Sequence, residues 1–192
     1  MSFFDDANNA GLALIIVSVF QALSAVIMLG TTLDRGFEWA VVLLVLGQLV
    51  CSFLYFKLGI DFRAQPYPGT TLLSSYIRVV GMATIIIGVA SIGFGVFSAM
   101  VNVAVGLVIF WIYLRVDTGK GDNIDRVLWY VLVLAFVIMC ISSFGSIVSS
   151  LVGLLSTLSA VSELLTGIAN LFIGVFMLLV LMENAVRMSM GT

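Results

Sequence analysis

Residues 76–113 read YIRVVGMATIIIGVASIGFGVFSAMVNVAVGLVIFWIY. Arg78 is the single charged side chain in these 38 residues. As one helix the block would run about 57 Å, nearly twice the roughly 30 Å hydrocarbon core of a bilayer. It is too long to cross once and suits two crossings, with a tight turn expected near Phe97 to Asn102.

Working outward, apolar runs bounded by polar interruptions predict spans at 10–30, 37–58, 74–96, 98–116, 126–147 and 163–186. The chain has 192 residues, 62% of them apolar, against eight basic and ten acidic side chains, a composition far from that of a soluble domain. The expected fold is all-α: one domain over 1–192, a polytopic helix bundle with six transmembrane helices and no room for a soluble catalytic domain. The opening MSFFDDANNAG carries two aspartates and no basic residue, so the first span is expected to be retained and not cleaved as a signal.

Between Arg126 and Arg187 the hydropathy alone fits either two crossings with a segment between them or three crossings. Charge decides. With six spans, Lys57, Arg63, Arg78, Arg115, Lys120, Arg126 and Arg187 fall on one side and Arg35 alone on the other. By the positive-inside rule both termini face the cytoplasm, which places the protein in the cytoplasmic (inner) membrane. Trp39, Tyr55, Tyr76, Trp111, Tyr113, Trp129 and Tyr130 lie near span ends, where amphipathic rings favour the interface.

The intervening segment 146–163, SIVSSLVGLLSTLSAVSE, alternates apolar and Ser/Thr/Gly faces at helical spacing. It is expected to form an amphipathic interfacial helix on the outer side. A faint similarity relates LDRGFEWAVVLLVL (33–46) to IDRVLWYVLVLAFV (124–137), an offset of 91 residues that would map the first three spans onto the last three in inverted orientation. Similar apolar composition also explains it.

Chemistry-bearing residues are few. Histidine is absent, and Cys51 and Cys140 sit in apolar runs as small hydrophobes, so no metal, cofactor, disulfide or acid-base pair is expected. The net charge of −2 argues against a nucleic-acid partner. No Asp, Glu, Lys or Arg is placed at the bilayer midplane, which disfavours a buried-carboxylate proton relay. The polar groups left there are amides. Gln21 and Gln48 lie 13 residues on either side of Asp34-Arg35 and so at matching depth, with Asn170 of the last span within reach. They serve either as hydrogen-bonding glue between helices or as the polar lining of a solute site.

Small residues recur at helix-contact spacing, Ser18, Ala22 and Ala25 in the first span, then Thr84 and Gly88, with Ser91, Gly95 and Ala99. They suit either internal packing or a partner helix. In the loops, Gly119-Lys120-Gly121 lacks the spacing of a phosphate-binding loop, and Pro66 and Pro68 stiffen the backbone around Tyr67. Tyr67 and Lys120 are therefore the docking candidates of the cytoplasmic loops. Glu183 and Arg187 form an i,i+4 pair, and Glu163 suits the start of the last helix.

No nucleophile, base or carboxylate pair at working spacing supports an enzyme. The expected function is a non-catalytic subunit or accessory of a larger membrane complex, with lipids and other membrane subunits or a second copy as partners. The alternative is a small-solute transporter or substrate-binding subunit. In size and topology alone, six helices in this length resemble the substrate-capture subunits of vitamin importers.

Overall fold

Where water is excluded, backbone N–H and C=O groups must pair within their own segment, so long apolar runs free of proline become helices. The two prolines, Pro66 and Pro68, fall between two such runs. A computed structural model describes residues 6–35, 38–64, 69–119, 121–153 and 159–192. In chain order it contains α1 (Ala7–Arg35), α2 (Trp39–Ala64), α3 (Gly69–Ala90), α4 (Val96–Thr118), α5 (Asn123–Gly153), α6 (Ser159–Met182) and the short α7 (Asn184–Ser189). Six of these are long and apolar enough to cross a membrane, and the described residues contain no strand. The protein is an all-α, multi-pass membrane bundle.

Three antiparallel hairpins build it: α1 with α2, α3 with α4, and α5 with α6. The first pairs with the others through α2 against α3 and α1 against α6, whereas α4 and α5 barely touch. Close approach within hairpins depends on missing side chains. A Cβ at Gly11 of α1 would stand 2.5 Å from the Gly59 carbonyl oxygen of α2, and one at Gly59 would stand 2.6 Å from that of Gly11. Further along the same helix pair, Ser52 donates its hydroxyl to the Ser18 carbonyl at 2.6 Å.

The start of α1 and the C-terminal residues gather at one end of the bundle with the end of α2, the start of α3 and the α4–α5 turn. Arg63 donates to Asn8 Oδ1 at 2.8 Å and Arg126 to the Gly191 carbonyl at 2.9 Å. Arg115 meets Asp122 at 2.8 Å and the buried Asp125 at 3.1 Å. Gly119 ends α4 in the left-handed region, φ 37°, its N–H donating to the Arg115 carbonyl. The main apolar core fills this half of the bundle, with Leu14, Phe62, Leu73, Ile173, Phe176, Met177 and Leu181 almost wholly buried. At the opposite end the buried apolar residues of the described chain are smaller and fewer: Ala25, Val41 and Val45 cluster between α1 and α2, and Ala90 and Ala99 flank the α3–α4 turn.

Four local expectations are corrected. The α3–α4 turn comes earlier than Phe97 to Asn102: a 3₁₀ turn at Ser91–Gly93 leads through Phe94 and Gly95 into α4. Residues 146–153 are not part of a separate interfacial helix but the last turns of α5, and Ser159 to Glu163 open α6, with 154–158 outside the described residues. Ser146, Ser149 and Glu163 of that segment face a space between helices. Glu183 and Arg187 do not share one helix. Glu183 is extended (ψ 136°), which lets α7 fold back and bury Val186 and Met190, while the Arg187 guanidinium lies 5.8 Å over the Trp129 ring. Finally, Tyr76 and Trp129 are buried in the core and not spread in an interfacial belt, the Trp129 indole N–H donating to the Leu181 carbonyl at 3.0 Å.

Candidate functional site: a polar cavity among four helices

Because side chains three, four and seven residues apart share one helix face, a span can be apolar overall and still present a polar stripe. Four helices do so toward a common space. On α1 the stripe is Leu14, Val17, Gln21 and Ser24, with Phe20 beside it; on α2 it is Gln48 and Tyr55. On α5 it is Ser142, Ser143, Ser146 and Ser149, and on α6 it is Glu163, Thr166, Gly167, Asn170 and Ile173. Tyr76 of α3 completes the lining. The cavity measures about 610 Å³, within the range of small-ligand sites.

Its exposure is graded along the bundle axis. Leu14, Tyr76 and Ile173 are buried and Tyr55 half-buried at the end nearer the termini, and Gln21, Gln48 and Asn170 are half-buried at mid-depth. Ser24, Ser146, Ser149 and Glu163 are exposed at the other end. The cavity thus opens away from the termini and closes on the packed core. At about 1.5 Å per residue Gln21 lies ~21 Å from the start of α1 and Gln48 ~24 Å from the end of α2, matching levels near the middle of the bundle.

The structure brings all three amides of the sequence reading, Gln21, Gln48 and Asn170, onto this one cavity. It does not join the first two: Gln21 Oε1 and Gln48 Oε1 are both buried without a hydrogen-bond partner among the described residues. Leaving a buried amide oxygen unpaired costs roughly 1–3 kcal/mol. The polar tie between α1 and α2 is the Ser52–Ser18 bond instead. Around the walls, Cys51 donates to the Ala83 carbonyl of α3 at 3.5 Å, and Gly167 lets α6 approach Ile147 and the Ser143 carbonyl of α5.

Tyr76 borders a second space. A crevice of about 230 Å³ lies between α4 and α5 and is lined by Ile109, Ile112, Val131, Leu132, Ala135, Phe136 and Met139, with Ile77 and Val80 of α3. The Tyr76 hydroxyl reaches Met139 Sδ at 3.8 Å and its ring packs 6.0 Å from Phe136. One tyrosine therefore stands between a polar cavity and an apolar crevice.

The small-residue positions lie mostly inside hairpins. Ser18 and Ala25 are fully buried against α2, and Gly88 and Ala99 are buried in the α3–α4 contact, where a Cβ on Gly88 would stand 2.9 Å from Val103. Ala22, Thr84, Ser91 and Gly95 are half-buried, with the hydroxyls of Thr84 and Ser91 turned back to the Val80 and Gly88 carbonyls. Tyr67 and Lys120 lie outside the described residues. The sequence reading did not single out Tyr55, Tyr76 or the Ser142–Ser149 face as a lining; the i,i+7 pairs Ser142–Ser149 and Glu163–Asn170 were the signal that could have found it. In comparisons with protein families, curated proteins and solved structures, the chain matches no family model, no curated protein and no solved structure.

Proposed function

We propose that this protein binds a small polar solute inside the membrane, as a transporter or as the substrate-binding subunit of one. The observation that carries the reading is the cavity: four helices turn hydroxyls and amides toward a space of about 610 Å³ at the depth where lipid would otherwise penalise them. A packing device would pair its amides. Gln21 and Gln48 instead keep buried oxygens that no protein group satisfies, as suits a site completed by a ligand or its water. Of the small-residue positions, which read from sequence suit either internal packing or a partner helix, Ser18, Ala25, Gly88 and Ala99 are buried within the hairpins. Lys57, Arg63, Arg78, Arg115, Arg126 and Arg187 all belong to the halves of their helices nearer the end where the C-terminus lies, so on the positive-inside rule that end is cytoplasmic and the cavity faces outward across the inner membrane.

The test is a thermal-stability screen of the purified protein in lipid nanodiscs against polyols, amino acids and amines. At least one solute raises the melting temperature of the wild type and fails to do so in Gln21→Leu and Gln48→Leu. A screen in which no solute shifts the wild type, or in which the shift survives both substitutions, counts against the reading.

A further inference from the structure

The charge distribution around the cavity says which solutes it favours, and this inference rests on the solute-binding reading above. Among the described lining residues Glu163 alone carries a formal charge, and it stands at the open end. Among the described residues no lysine or arginine lines the space to balance it. In a cleft with low-dielectric walls a single uncompensated carboxylate sets the sign of the potential, raising the local concentration of cations and excluding anions.

Two further features favour an organic cation over a bare metal ion. The polar groups further in are uncharged, and the unpaired ones, Gln21 Oε1 and Gln48 Oε1, are acceptors, which call for N–H or O–H donors. The inner wall is aromatic, with Phe20, Tyr55 and Tyr76, whose ring faces attract alkylammonium groups. We infer that the cavity selects small organic cations, amines or alkylammonium compounds, with Glu163 as the selecting charge at its mouth.

Charged thiol reagents probe this selection directly. Ser146 lies on α5, across the cavity from α6, and is exposed. In a background with Cys51 and Cys140 replaced by alanine, Ser146→Cys is treated with two methanethiosulfonates of similar size, one bearing trimethylammonium and one bearing sulfonate. Rates are normalised to those on a free thiol. The cationic reagent should react at least tenfold faster, and the ratio should fall toward one in Glu163→Gln and return in Glu163→Asp. Tetramethylammonium, but not potassium at equal ionic strength, should slow the reaction. Equal normalised rates, a ratio untouched by Glu163→Gln, or equal protection by potassium overturns the inference while leaving a solute-accessible cavity in place. Failure of both reagents to modify the thiol introduced by Ser146→Cys in a folded protein overturns the cavity reading as well. Where Glu163→Gln does not fold, the protection assay on the Ser146→Cys protein decides alone.

Discussion

Gln21 of α1 and Gln48 of α2 border the same cavity, and each buries a side-chain oxygen to which no group of the described residues donates. Replacing either by leucine removes an unsatisfied group and breaks no hydrogen bond of that oxygen. Stability should hold or rise, by up to about 1–3 kcal/mol, while solute binding is lost. Detergent-unfolding curves read beside a binding isotherm separate the two effects.

The Gly11–Gly59 contact should be intolerant of any side chain. Gly59→Ala places a methyl against the Gly11 carbonyl and should destabilise by about 1–3 kcal/mol, the usual range for overpacking. Gly30→Ala, at a position where a Cβ meets nothing within 4 Å, is the control and should be neutral or mildly stabilising. Unfolding in SDS titrations measures both.

Trp129 closes the end of α6. Leu181 is among the last four residues of that helix, whose carbonyls lack intrahelical donors, and the Trp129 indole N–H supplies one at 3.0 Å. Trp129→Phe keeps most of the buried ring and leaves that carbonyl unpaired, so a loss of about 1–3 kcal/mol is expected in the same assay.

Asp122 ties the α4–α5 connection in two ways, accepting from Arg115 and from the backbone N–H groups of Ile124 and Asp125 at the start of α5. The Arg115 hydrogen bond, followed by the backbone ones, holds its carboxyl below the usual carboxylate range. A group lowered in the folded state contributes stability that is fully present above its unfolded value and is lost as pH falls through the folded one. Melting temperature should therefore decline on the acid limb, and Asp122→Asn should flatten that decline while lowering the neutral-pH value.

Topology is checked by reporter fusions. Enzymes joined after Arg35 and after Lys120 should be active in opposite compartments, with the Lys120 fusion cytoplasmic.

The six crossings were legible because lipid imposes a length and a polarity on every span, and residues 76–113 are too long for one crossing and fit two, although hydropathy put the turn several residues late. The amides were legible as well, since Gln21, Gln48 and Asn170 are conspicuous in apolar surroundings. Serine is not conspicuous: it occurs freely in membrane helices, and the Ser142–Ser149 face straddles the place where hydropathy reads as the end of a span. Chain position also misplaced Tyr76, because nearness to a helix end does not reveal which way the face points. The break at Glu183 carries no proline or glycine. It follows from tertiary burial of Val186 and Met190, which local sequence does not encode.

The uneven filling of the bundle has an electrical consequence. On the proposed solute-binding reading the cavity is an aqueous recess open to one side and carries the potential of that side inward, so the transmembrane voltage would drop chiefly over the solid half beyond Leu14, Tyr76 and Ile173. A monovalent ion resting beside Gln21 has then done little electrical work. Nearly all of the roughly 2.3 kcal/mol per charge per 100 mV remains for the passage that follows, so occupancy should respond weakly to voltage and onward movement steeply.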